Sequence, residues 1–191
     1  MGLSDEKALI AALQRGEQSA LATVFELHAD KIYRLAVRLL NDEQQADGVV
    51  QDTFLALIEH IDDFEGRASL ATWLYRIAYN ECMMRLRKAK PQADLYDDDD
   101  DVMPTCFVDW ESIPELIVTS NEAVAQMEAA IAKLSPGLRA VFLLRDVEEL
   151  SIRETAESLG ISESAVKVRL HRARLALREQ LAHYFEERVL E

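Results

Sequence analysis

Only two cysteines, six glycines and four prolines occur among the 191 residues. Cys82 and Cys106 are far apart and form no CxxC pair, so neither zinc nor a disulfide framework is indicated. Both read as reduced thiols. No apolar run reaches the roughly 18–20 residues that span a bilayer, so no membrane insertion is expected. The opening stretch, MGLSDEKALIAALQRGE, is charged throughout and lacks a secretory signal, which makes the cytoplasm the expected compartment. Nowhere does a strand-like alternation with hairpin turns appear. P-loop, GxGxxG, HExxH and nucleophile-elbow patterns are all missing. An enzyme is thus the least favoured class, and no catalytic residue, metal or cofactor is expected.

What the chain does have is apolar residues, 49% of the total, and acid, with a formal net charge of −14. The acid is unevenly placed. Asp94 to Glu122 holds ten acidic residues and no basic one, including DLYDDDDDVMP and a second proline at Pro114. It shows no sustained helical period and reads as a linker. The flanks, with 25 acids against 21 bases, are nearly balanced.

Both flanks read as helical. SALATVFELHADKIYRLAVRLL places Leu21, Val24, Phe25, Ile32, Leu35, Ala36 and Leu39 at helical spacing. Asn41 with Gln44 resembles an N-cap for the next helix, DEQQADGVVQDTFLALIEHI. A third helix is capped by Ser69 and runs through LATWLYRIAYNECMMRLRK. Beyond the linker come NEAVAQMEAAIAKL and then SPGLRAVFLLRDV, with Ser135 as cap and Pro136 at the first helical position. The fold class is all-α: two small helical domains, 1–90 and 123–191, joined by an acidic flexible linker over 91–122.

The second domain ends in a sharper signal. Ser151 and Glu154 form a capping box for a short helix ending near Leu159. Gly160 suits a left-handed turn, and Ser162 can cap the helix that follows. Ile152, Ala156, Leu159, Ile161, Val166 and Leu170 supply the apolar seam, with Ala156 small where two helices cross. An ordinary helical hairpin is the plain alternative, but this combination specifies a helix-turn-helix. From Ser164 to Arg178 there are five Lys or Arg and no acid. At about 100° per residue, Val166, Leu170, Ala173 and Leu177 face the core. Ser164, Lys167, Val168, His171 and Arg172 fall opposite, where a recognition helix meets the major groove. Arg169, Arg174 and Arg178 lie at the margins, placed for phosphates. A charge run is ordinarily a solvated face, and here the motif favours DNA. His171 has no partner ligand at i+4 and reads as a groove contact.

In the third helix, Trp73, Leu74, Ile77 and Met84 face one way on the wheel. Thr72, Arg76, Tyr79, Asn80, Met83 and Arg87 face the other. Arg85, Arg87, Lys88 and Lys90 add a basic tail. Aromatics, an amide and cations on one face suit single-stranded nucleic acid. Trp73 falls on the apolar side and reads as core. Glu81 shares that side and has no evident partner.

The order of these parts resembles a bacterial RNA polymerase sigma factor of the extracytoplasmic-function (ECF) type, over nearly the whole length. The resemblance rests on GEQSALATVFELH, ADGVVQDTFLAL, FEGRASLATWLYRIAYN, LSPGLRAVFLLRDVEELSIRETAESLGIS and VKVRLHRARLALRE. It implies that core RNA polymerase and promoter DNA are partners, with an anti-sigma factor clasping both domains. It implies that Asp47, Val50, Gln51, Asp52 and Phe54 dock on the polymerase clamp. The loop Phe64 to Ala68, including Arg67, would join Asn80 in a pocket for an extruded −10 base, with Arg76, Tyr79 and Arg87 nearby. Extrusion costs a few kcal/mol of unstacking that such a pocket must return. Lys167, Val168, His171 and Arg172 match the family's −35-reading positions, which the wheel selects independently. Gly48, where the family usually has an acid, and Tyr79, where a basic or small residue is commoner, depart from the pattern. Asp97 to Asp101 would lie on the cationic RNA exit path, with a plain solvated spacer as the competing reading.

Two rivals remain. A repressor or activator would bind an operator by the helix-turn-helix alone, usually as a symmetric dimer, and leaves the first domain unexplained. A sigma mimic that sequesters an anti-sigma factor need not keep Lys167, Arg169, Arg172 and Arg174. Their presence argues for a working factor whose acidity limits non-specific DNA binding.

Overall fold

The computed structural model describes residues 3–89 and 121–189. Among them are eight α-helices and no strand. The chain separates into two compact units, one built on the first four helices together with Glu157–Gly160 and the other on most of the remainder. Residues 90–120, which hold Lys90, Asp97 to Asp101, Cys106 and all of the acidic segment except Asn121 and Glu122 at the start of the next helix, lie outside the described residues. No helix among the described residues is long and apolar enough to cross a membrane.

The first unit comprises α1 (Leu3–Gln14), α2 (Gln18–Leu40), α3 (Glu43–His60), a 3₁₀ turn (Ile61–Asp63) and α4 (Leu70–Ala89). Its core takes Val24, Ile32, Leu35, Ala36 and Leu39 from α2, Ala46, Val49 and Leu57 from α3, and Leu70, Leu74, Ala78 and Cys82 from α4. Phe25, expected on the apolar stripe of α2, is exposed instead. Burial pushes the Cys82 thiol up to about 12, which keeps it protonated and inert.

The junction of α2 and α3 corrects the sequence reading by one residue. Asn41 does not open α3. It closes α2 in the left-handed region at φ 53°, donating its N–H to Val37 O at 2.7 Å. Asp42 is the cap: its carboxylate accepts from Gln45 N at 3.0 Å and from Gln45 Nε2 at 2.8 Å. Asparagine serves either role, since it caps well and tolerates positive φ. The tie is broken by the neighbouring aspartate, which caps equally well and cannot close α2 from one residue further on.

The second unit comprises α5 (Asn121–Lys133), α6 (Pro136–Phe142), a π-helical turn (Leu143–Val147), α7 (Ile152–Leu159) and α8 (Glu163–Val189). Pro136 opens α6 as expected, although the Ser135 side chain makes no capping hydrogen bond. Arg139, buried within α6, donates to the carbonyls of Ala132 and Leu134, the latter at 2.9 Å. Those carbonyls close α5 and have no helical donor of their own, so a buried cation serves as their partner. Burial lowers the Arg139 pKa. Val141, Leu143 and Leu144 complete the core with Val166, Ala173 and Leu177 of α8.

Candidate functional site

The helix-turn-helix is built by local chemistry. The Ser151 backbone N–H and hydroxyl donate to Glu154 Oε2 at 2.8 and 2.6 Å, and the Glu154 N–H donates back to Ser151 Oγ at 3.2 Å. These bonds, the side-chain one first, hold the Glu154 carboxyl below its ordinary range. Gly160 takes φ 68° in the turn, a conformation that strains any side chain. Ser162 Oγ then accepts from Ala165 N at 3.1 Å and so opens α8.

On α8, Ser164, Lys167 and Arg178 are exposed, and His171 and Arg172 are half-buried. Three expectations need correction. Arg169 is only 4% exposed. It stands 60° from Val166 on the wheel, inside the arc that packs, so it does not lie at an open margin. Val168 is only 1% exposed although it stands nearly opposite Val166, so α8 is covered on more than one side at that level. An apolar valine gains about 1.5 kcal/mol or more from such cover. Arg174 is not free for a phosphate, because it holds Asp146 of the π-helical turn by two hydrogen bonds of 2.9 and 2.7 Å. The outward cationic strip is therefore narrower than the wheel suggests: Lys167, His171 and Arg172, with Ser164 and Arg178 beside them.

On α4 the two margins of the wheel are exchanged. Tyr79, expected to face a strand, is 3% exposed, and Met83 is buried with it. Trp73 is half-buried, Met84 is exposed, and Arg76, Asn80 and Arg87 are exposed. At 100° per residue, Trp73, Arg76, Asn80, Met84 and Arg87 lie on one strip. Trp73 thus belongs with Asn80 and not with the core. Its ring rests against Phe64 of the preceding loop, with centroids 5.0 Å apart and planes tilted by 41°. That loop carries Gly66 at φ 69° and an exposed Arg67 paired with Glu65. An aromatic pair, an amide and cations thus share one strip along α4 and its preceding loop, an arrangement suited to single-stranded nucleic acid.

Glu81 has a partner after all. Arg85 Nη1 meets Glu81 Oε2 at 2.7 Å, and Arg85 Nη2 meets Asp52 Oδ2 at 2.5 Å. Burial works against the guanidinium charge, but the hydrogen bonds from both carboxylates raise its pKa on balance. Arg85 therefore bridges α4 to α3 and leaves the basic tail. A Cβ at Gly48 would stand 3.5 Å from Arg85 Nη2, in ordinary contact. The acid expected of the family at position 48 would bring a third carboxylate to the same cation.

On α3, Asp47 and Gln51 are exposed and Val50 and Asp52 are half-buried. Phe54 is buried against Phe25, with ring centroids 4.8 Å apart, and is not an open docking group. The structure adds two residues that sequence reading missed. Leu55 and Ile58 are 56% and 54% exposed, and on the wheel they continue the strip begun by Asp47 and Gln51. Exposed apolar side chains gathered in one place mark a contact surface. Leu55 follows Gln51 by four residues and Ile58 follows Leu55 by three, and that helical spacing is the signal that could have found them.

A helix-turn-helix in one unit and an exposed strip of aromatic, amide and cationic side chains in the other are the features of a promoter-recognition protein. Residues 24–92 match the family model for Sigma-70 region 2, and residues 125–177 match that for Sigma-70 region 4. The ECF RNA polymerase sigma factor SigW of Bacillus subtilis is 36% identical over 179 residues, covering 92% of this chain and 96% of the relative. SigE of Mycolicibacterium smegmatis, another ECF sigma factor, is 32% identical over 90% of this chain and 66% of its own. Among solved structures, CnrH in complex with the cytosolic domain of CnrY superposes with a TM-score of 0.68 at 27% identity, over 93% of this chain and 97% of that one. RpoE of Bartonella quintana shares the fold, with a TM-score of 0.64 at 24% identity over 84% of this chain and 96% of that one. The chain belongs to the ECF family of RNA polymerase sigma factors.

Proposed function

We propose that this sigma factor divides its work between domains at 1–90 and 123–191, with 91–122 as the tether. The C-terminal domain reads the −35 element through Lys167, His171 and Arg172, with Ser164 and Arg178 at the backbone. The N-terminal domain opens the −10 element, where Asn80, Trp73 and Phe64 receive an extruded base and Arg67, Arg76 and Arg87 follow the strand. The strip Asp47, Gln51, Leu55 and Ile58 meets the polymerase clamp. The chain itself catalyses nothing; core polymerase performs the chemistry, in the cytoplasm.

The observation that carries this reading is the strip on α4, where Trp73 packs on Phe64 about two turns from the exposed Asn80. A repressor reading leaves that strip without a use. Run-off transcription on genomic fragments, using core polymerase with and without this protein, tests it. Discrete protein-dependent start sites are expected, and an unchanged transcript pattern would overturn it.

Control by an anti-sigma factor is part of the same reading. Its support is that two proteins of this fold were solved with a bound partner, RpoE of Bartonella quintana with the anti-sigma factor NepR and CnrH with the cytosolic domain of CnrY. An exposed apolar strip on a strongly acidic factor suits capture by a basic, amphipathic partner.

A further inference from the structure

The loop between the 3₁₀ turn and α4, Phe64 to Ser69, is held at both ends by α1. At its start, Gln14 Nε2 donates to Ile61 O at 3.2 Å. At its end, the Glu6 carboxylate accepts from Leu70 N at 2.7 Å. Gln14 and Glu6 are eight residues apart on one helix, about 12 Å along its axis. Neither bond is local in sequence, and each lands on the backbone at an edge of the loop.

The acceptors and donors match what the loop edges need. Leu70 is the first residue of α4, and its N–H is one of the helix-terminal donors without an intrahelical partner. Ser69 Oγ already serves Thr72 N at 3.1 Å, so Glu6 supplies a second acceptor to the same end. Its negative charge also sits favourably at a helix N-terminus. At the other edge, Ile61 O receives both Phe64 N, at 3.1 Å, and the Gln14 amide. Within the loop, Gly66 adopts positive φ and Arg67 finds only its neighbour Glu65 among the ion pairs of the described residues. The loop's own bonds are few, and its edges are set from outside.

We infer that α1 is a positioning brace for the −10 pocket, with Glu6 and Gln14 holding the two anchors of the loop that presents Phe64 to Trp73. Neither residue touches DNA. The inference rests on the reading of that loop and Asn80 as the strand-binding site. A pocket held at both ends is organised before DNA arrives, and a looser loop must be ordered by binding, at a cost in affinity.

The test uses holoenzyme assembled with full-length variants. The probe is a fluorescein-labelled non-template single strand spanning the −10 element of a start site mapped by run-off transcription. Glu6→Ala is expected to weaken binding about tenfold, equivalent to roughly 1.4 kcal/mol. Gln14→Ala should weaken it several-fold. Glu6→Gln keeps an acceptor and should restore most of the affinity, a rescue that mere loss of helix packing would not give. Binding to core polymerase and to a −35 duplex should not change. Asn80→Ala serves as the control for the site itself. Unchanged strand affinity in Glu6→Ala, beside weakened affinity in Asn80→Ala, overturns the brace alone. Unchanged affinity in both overturns the strand-binding site and the brace together. Parallel loss of core binding in Glu6→Ala and Glu6→Gln assigns Glu6 to general stability and also overturns the brace.

Discussion

Arg174 of α8 grips Asp146 of the π-helical turn through two parallel hydrogen bonds, 2.9 Å from Nε and 2.7 Å from Nη2. The pair is partly sheltered, with side-chain exposures of 31% and 14%. A fork-to-fork arrangement of this kind fixes angle as well as distance. Position in the sequence suggests a phosphate contact; geometry makes this arginine a strut that ties α8 to the π-helical turn. Asp146→Ala should therefore lower stability by about 1–2 kcal/mol, read as a shift in urea midpoint, because it leaves a half-buried cation without its mate. Arg174→Lys should recover little, since an ammonium cannot make both bonds. Equal midpoints for wild type and Asp146→Ala would remove the strut.

The narrowed cationic strip leads to a sharper expectation for promoter reading. Replacing Lys167 and Arg172 together by alanine should abolish −35-dependent transcription while co-elution with core polymerase persists. Each lost base-edge contact is worth about 1–3 kcal/mol of discrimination. Val168→Ala, by contrast, should act on stability, because Val168 is covered. Unaltered promoter output from the double variant would disprove the groove-facing assignment.

Much of this architecture was legible in the chain because the signals are local. The Ser151–Glu154 box, the glycine at 160 and the Ser162 cap are each complete within four residues, and the structure forms all three. The facing of α4 was not legible. Leu74, Tyr75, Ala78, Tyr79 and Cys82 compete with Trp73, Ile77 and Met84, so the helix is apolar nearly all round and a wheel alone cannot choose the seam. Packing against α2 and α3 chooses it. Arginines were misassigned for a related reason. Arg85 and Arg174 look like the other cations beside them, and only partners 33 and 28 residues away reveal them as internal struts. The α1 brace depends on bonds 47 and 64 residues long and left no pattern in the sequence.

The corrected strip on α4 separates two aromatic residues by role. Asn80→Ala and Trp73→Ala should slow promoter opening far more than closed-complex formation, with stacking worth about 1–3 kcal/mol per base. Tyr79→Phe should leave opening untouched, because that ring is buried. Permanganate reactivity of −10 thymines reads the difference. Full reactivity in the Asn80 and Trp73 variants would return Trp73 to the core and remove the pocket.

The capping box supplies a pH dependence with a definite sign. Glu154 lies below its ordinary value of 4.5 because Ser151 hydrogen-bonds its charged form. A carboxyl depressed on folding stabilises the folded state above its unfolded pKa, and that stability fades as pH falls through the folded value. Glu154→Gln should cost on the order of 1 kcal/mol near neutrality, the usual worth of such a cap. The gap between variant and wild type should begin to narrow below about pH 4.5 and close once pH has fallen past the lowered folded value, where both side chains are neutral. A gap that persists undiminished in acid would mean that charge plays no part in the cap.

Ten of the fourteen excess negative charges lie between Asp94 and Glu122, and five of them are consecutive, Asp97 to Asp101. A spacer needs only length and solubility, which serine supplies as well as aspartate. A segment that competes with nascent RNA for a cationic path needs the charge, because the competition is between two polyanions for the same sites. Replacing the five aspartates by serines separates these cases. With charge at work, the variant should yield fewer abortive products, since the emerging transcript displaces the segment more easily. Raising the salt concentration should shrink the difference, as screening weakens both rivals. If the abortive ladder is the same for both proteins at low salt, the run of aspartates is a solvated tether and nothing more.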